Sequence, residues 1–110
     1  MKTYVGHGAT IAECGQFLYE PLTVEEAMKW LKNNDWKSLM GYEDTAIAMG
    51  YVLEVKPEVS HDSIVPLDVD DQILVFRLRK FLPSWIGDNE EKAIEWAKNN
   101  CQIRLLTRVM

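Results

Sequence analysis

Residues 72–80 constrain this chain more than any other stretch. Leu74, Phe76 and Leu78 fall on one side of an extended segment, and Ile73, Val75, Arg77 and Arg79 fall on the other. The first side is core. The second begins apolar and ends cationic, as a strand does when its far end leaves the core for a cleft or for solvent.

The remaining elements are built around that strand. Thr23-Val24-Glu25-Glu26 is a capping box, in which hydroxyl and carboxylate satisfy orphan N–H groups reciprocally. Behind it Val24, Ala27, Met28 and Leu31 keep the i, i+3, i+4, i+7 spacing of one buried helical face, and Asn33-Asn34-Asp35 closes the helix. Asp88-Asn89-Glu90-Glu91 starts a second long helix with Ala93, Ile94 and Ala97 inward and Trp96 on its flank. Residues 2–5 and 16–20 read as short strands, and 51–56 as a strand stopped by Pro57. Residues 63–69 fit an edge strand, because Pro66 lacks a ladder donor. Residues 101–109 form the last strand, with Ile103, Leu105 and Val109 on one face and Gln102, Arg104, Leu106 and Arg108 on the other. If it lies near 72–80, the four arginines Arg77, Arg79, Arg104 and Arg108 share one basic face; a solvated face paired with surface acids is the alternative. The order of elements predicts a single domain over 1–110 of the α/β (α+β) class, with a small mixed sheet of about five strands flanked by helices.

Charge narrows the function classes. The net charge of −5 argues against a general binder of double-stranded DNA, whose footprint is basic. The distribution is uneven: residues 1–71 carry five lysines against thirteen acids, whereas 72–110 carry seven basic groups against four acids, including all four arginines. An anionic ligand belongs in that last third. Cys14 and Cys101 stand far apart with no C-x-x-C pair, which fits free thiols in a reducing cytosol and leaves a single disulfide open. No signal peptide and no apolar run of the roughly 20 residues needed for a bilayer is visible. Cytoplasmic residence, without a membrane, is the expectation. The two His and two Cys are too scattered for a metal site, and no cofactor motif appears. His61-Asp62-Ser63 reads as a loop, because a catalytic triad converges from separate elements.

Two glycine-bearing stretches are the candidate sites. Gly6-His7-Gly8 ends the first strand with a backbone that can turn sharply, although Ile11 at the third glycine position excludes the dinucleotide fingerprint. Leu39-Met40-Gly41-Tyr42-Glu43-Asp44-Thr45 leads from an extended approach into a short helix over 44–49, capped by Asp44 or Thr45 and terminated by Gly50. A helix start exposes N–H groups and a partial positive charge that suit a phosphate, while Glu43 and Asp44 there suit a plain structural cap.

Four segments carry a family resemblance: Leu22-Thr23-Val24-Glu25-Glu26-Ala27, the run from Leu39 to Ala46, Asp71-Gln72-Ile73-Leu74-Val75-Phe76, and Arg104-Leu105-Leu106-Thr107-Arg108. In these, and in their order, the chain resembles the small viral and mobile-element proteins that include the viral ring nucleases acting as type III anti-CRISPR proteins, together with bacterial relatives. The resemblance implies a symmetric homodimer that holds a cyclic tetra-adenylate messenger across its two-fold axis. In the nuclease members a Gly-His pair supplies the general acid. Here that pair is Gly41-Tyr42, and a phenol with an ordinary pKa near 10 donates a proton poorly at neutral pH.

Three function classes follow. The first is a binding module that captures a cyclic nucleotide or oligonucleotide immune signal without cleaving it. Its ligand set is Gly6, His7, Gly8, Ala9, Thr10, Gly41, Tyr42, Thr45, Arg77, Arg79 and Lys80. The second is a metal-independent ring nuclease using His7 or Tyr42. The third is a regulator that binds protein or DNA through exposed Trp and the C-terminal arginines.

Overall fold

The computed structural model describes residues 1–8, 15–60 and 65–110. Its elements are β1 (Thr3–Gly6), β2 (Phe17–Pro21), α1 (Val24–Asn33), β3 (Trp36–Leu39), α2 (Glu43–Leu53), β4 (Gln72–Leu78), α3 (Glu90–Asn99) and β5 (Cys101–Arg108). The five strands make one mixed sheet in the order β2-β5-β4-β1-β3. β1 runs parallel to both β3 and β4, while β5 is antiparallel to β4 and to β2. The α+β architecture read from the sequence is present.

The capping box on α1 forms in both directions: Glu26 N–H donates to Thr23 Oγ at 3.1 Å, and Thr23 N–H donates to Glu26 Oε1 at 2.9 Å. The Thr23 N–H and then the Thr23 hydroxyl hold the Glu26 carboxyl below its ordinary range. On α3 the cap is Asn89, whose side chain accepts from Lys92 N–H.

The alternation of β4 sorts the core into two layers. On one side Leu74 and Phe76 pack with Val5, Ile103 and Leu105 against Ala27 and Leu31 of α1, Met49, Val52 and Leu53 of α2, and Ala97 of α3. On the other side Ile73 and Val75 pack with Tyr4, Leu39 and Leu106 beneath Leu67. Each fully buried side chain of this size contributes about 1.5–3 kcal/mol.

Residues 51–56 are not a strand. α2 runs through Gly50 to Leu53, and it stops at Glu54, which takes the left-handed conformation (φ 62°) with its N–H bonded to the Gly50 carbonyl. Tyr51, Val52 and Leu53 prefer strands in isolation, but α2 lies against α1, α3 and β4, and burial on several sides outweighs that preference. The chain then passes the edge of β3, where Val59 bridges Met40 and Ser60 N–H bonds to the Met40 carbonyl at 2.7 Å. Further along, Leu67 is buried on the second face. Of the edge strand expected over 63–69, residues 65–69 show only an isolated bridge at Val65. His61-Asp62-Ser63 lies outside the described residues.

Candidate functional site

Because β1, β3 and β4 are parallel, their carboxyl ends open at the same edge of the sheet, and in such sheets ligands bind beyond those ends. β1 delivers Gly6, His7 and Gly8 there, β3 delivers Gly41 and Tyr42, and β4 delivers Arg77, Arg79 and Lys80. Sequence positions 34 residues apart thus meet. His7 Nδ1 accepts a hydrogen bond from Gly41 N–H at 2.9 Å, and the imidazole stands edge-on to the Tyr42 ring, centroids 4.7 Å apart and planes at 70°.

Gly41 is glycine for a steric reason. A Cβ added there would stand 2.7 Å from His7 Cε1 and 3.2 Å from Nδ1. The imidazole occupies the space a side chain would need.

Burial pushes the His7 pKa below its ordinary value, and the Arg77 guanidinium adds to this, against a smaller opposing pull from the Leu39 carbonyl. His7 is therefore neutral at pH 7, with Nδ1 as an acceptor. In that state its Nδ1 holds the turn before α2 through the Gly41 N–H.

The start of α2 differs from the other two helices. Its cap residue is Tyr42, not Asp44 or Thr45, and among the described residues no side chain caps its first-turn N–H groups. Glu43 is drawn aside into an ion pair with Lys56 at 2.6 Å. This helix start opens on a cleft of about 440 Å³ lined by Tyr42–Thr45 and Leu78–Leu82. Among the described residues neither Arg79 nor Lys80 forms an ion pair.

Of the ligand set expected from sequence, the cleft gathers Tyr42, Thr45, Arg79 and Lys80. His7 and Gly41 support Tyr42, and Gly6 and Gly8 flank His7 at the end of β1. Ala9 and Thr10 lie outside the described residues. Phe81, which sequence reasoning missed, also lines the cleft and is 97% exposed. Its signal was an aromatic placed directly after two cations at a strand exit.

The four arginines do not make one site. Arg77 and Arg104 share the second face of the sheet, since Arg77 stands opposite Gln102 and Val75 opposite Arg104. Arg104 lies over the Tyr19 ring at 5.6 Å. Arg108 sits at the other end of β5 and donates to the carbonyls of Leu67 and, at 3.2 Å, Met110. Cys101 keeps a neutral thiol, because burial pushes its pKa up despite nearby Arg79. Among the described residues no group of three His, Cys, Asp or Glu could hold a metal ion, and no helix is long and apolar enough to cross a membrane.

Residues 3–98 match the family model described as STIV B116-like. The chain belongs to the STIV B116-like family. The B116 protein of Sulfolobus turreted icosahedral virus, a solved structure, is similar over 98% of this chain and 100% of its own length, with a TM-score of 0.77 at 10% identity. At that identity the likeness is one of fold. A search of curated protein sequences returns no match. Membership of a small viral family, the coarser part of what the four sequence segments suggested, is thus supported.

Proposed function

We propose that this member of the B116-like family captures a cyclic nucleotide-type immune signal, binding its phosphates at the carboxyl end of the sheet without cleaving it. The observation that carries the proposal is the cleft itself. The start of α2, which the side chain of its cap residue Tyr42 leaves uncapped, opens there beside Arg79 and Lys80, which make no ion pair among the described residues. Backbone N–H groups and guanidinium suit a phosphate, and Tyr42 offers a ring to stack on. The resemblance to ring nucleases supplies the signal class and the homodimer. Capture rather than cleavage is favoured by Tyr42 at the general-acid position and by a neutral His7 engaged with Gly41 N–H.

Cleavage is the second reading, favoured by one observation: His7 packs on Tyr42, so an imidazole does reach the neighbourhood of the missing general acid. Native mass spectrometry of the purified protein against cyclic di-, tri- and tetranucleotides, followed by recovery and weighing of the ligand, separates the readings. Intact ligand on a dimer is the expected result. A shortened linear product lost by at least ~100-fold in His7→Ala establishes the enzyme instead. No complex with any member overturns the nucleotide proposal and puts a protein partner in front.

A further inference from the structure

Phe81 is the most exposed large apolar side chain among the described residues, at 97%, although Leu82 beside it is half-buried against the helical core. An aromatic ring so presented contributes nothing to packing. It lies on the cleft that also holds Tyr42, itself 62% exposed, and that Arg79 and Lys80 line together with Asp44 and the Lys56-paired Glu43. Trp85, the other aromatic of this loop, does not line the cleft.

Two aromatic faces with two cations are chemistry for a ligand that alternates flat rings with negative charge. A bare sugar phosphate or inorganic phosphate would use the cations and leave both rings in water. We propose that Phe81 and Tyr42 form a base-stacking pair, so that the cleft selects phosphates bearing a nucleobase over phosphates without one. This rests on the cleft being the ligand site. Because stacking uses the face of a base and not its edge, the pair confers preference for bases as a class, and discrimination among bases falls to other groups.

The test is titration of the full chain with two probes of equal charge, a linear tetra-adenylate and the same ribose-phosphate tetramer without bases. The wild-type chain is expected to bind the adenylate about tenfold or more tightly than the abasic tetramer, the range typical of one or more stacked bases. Phe81→Ala, at a fully exposed position, is expected to remove most of that ratio while leaving abasic binding unchanged, and Phe81→Tyr to restore it. Tyr42→Phe retains the ratio, since only the ring face is used. If both probes bind and Phe81→Ala leaves their ratio intact, the stacking pair is wrong while the cleft remains the ligand site. If neither probe binds, the stacking pair falls, and the cleft reading falls with it when the cyclic panel also fails.

Discussion

The two ends of the parallel strands use charge in opposite ways. At the amino end, Asp71 is 1% exposed and accepts hydrogen bonds from Lys2 N–H at 2.7 Å and Asp68 N–H at 2.8 Å, with the Lys2 ammonium 3.5 Å away. Burial alone would push its carboxyl up, but those donors and the ammonium outweigh it and hold the pKa below the usual range. Arg108 closes the same end through the Leu67 carbonyl, and its own N–H bonds to the Asp71 carbonyl. At the carboxyl end Arg79 and Lys80 make no ion pair among the described residues, and two aromatic rings face water. Polar groups that satisfy one another hold a fold together. Polar groups held without partners beside a cleft are kept for something that arrives from outside.

The sharpest way to break this contrast is at the amino end. Asp71→Ala removes a buried carboxylate that two part-buried N–H groups and the Lys2 ammonium share, and should cost about 3 kcal/mol, seen as a fall of roughly 10–20 °C in Tm, with ligand binding by the surviving folded protein unchanged. An Asp71→Ala chain as stable as wild type would mean that this end is no anchor. Next comes Gly41→Ala, which forces a Cβ against the His7 ring and should cost about 1–2 kcal/mol. Combining it with His7→Ala should recover most of that loss in a denaturant titration, because the clash goes with the ring. At the carboxyl end, Arg79→Ala or Lys80→Ala should leave Tm within about 2 °C while weakening the nucleotide captured in the mass-spectrometry panel by about tenfold each. Equal affinity in both variants would remove the cleft from consideration.

The smallest effect is a pH dependence from His7. Its folded pKa lies below its unfolded value near 6.5, so the unfolded chain takes up a proton first as pH falls. Stability from this group is fully present above about pH 6.5 and is lost as pH drops through that value toward the folded pKa. His7→Gln should lack this component in denaturant midpoints compared between pH 8 and 5. If the two proteins show the same pH profile, His7 is not held neutral by the fold.

Much of the fold was legible because its signals are local. The Thr23–Glu26 box, the Asn89 cap and the two-residue alternation of β4 and β5 each depend on neighbours within four positions. α2 was not legible in the same way. Its Tyr51-Val52-Leu53 end reads as strand until the surrounding helices bury it, and Gly50 reads as a stop although a Cβ there would meet only Lys56, at 3.5 Å. The site was legible as a set of residues and not as an arrangement. Gly41, Tyr42, Arg79 and Lys80 were marked by type, but the bond from Gly41 to His7 spans 34 positions, and no short-range pattern reports it. The separation of Arg108 from Arg77 was hidden for the same reason, since strand alternation fixes a face and says nothing about which end of that face a residue occupies.

The tight fit of His7 over Gly41 also restricts how the sequence can drift. A lineage in which position 41 gains a side chain while the ring at position 7 stays must bear the cost of that clash, so losing the ring first is the easier order. Among descendants of this chain, a histidine at 7 together with a non-glycine at 41 should be under-represented.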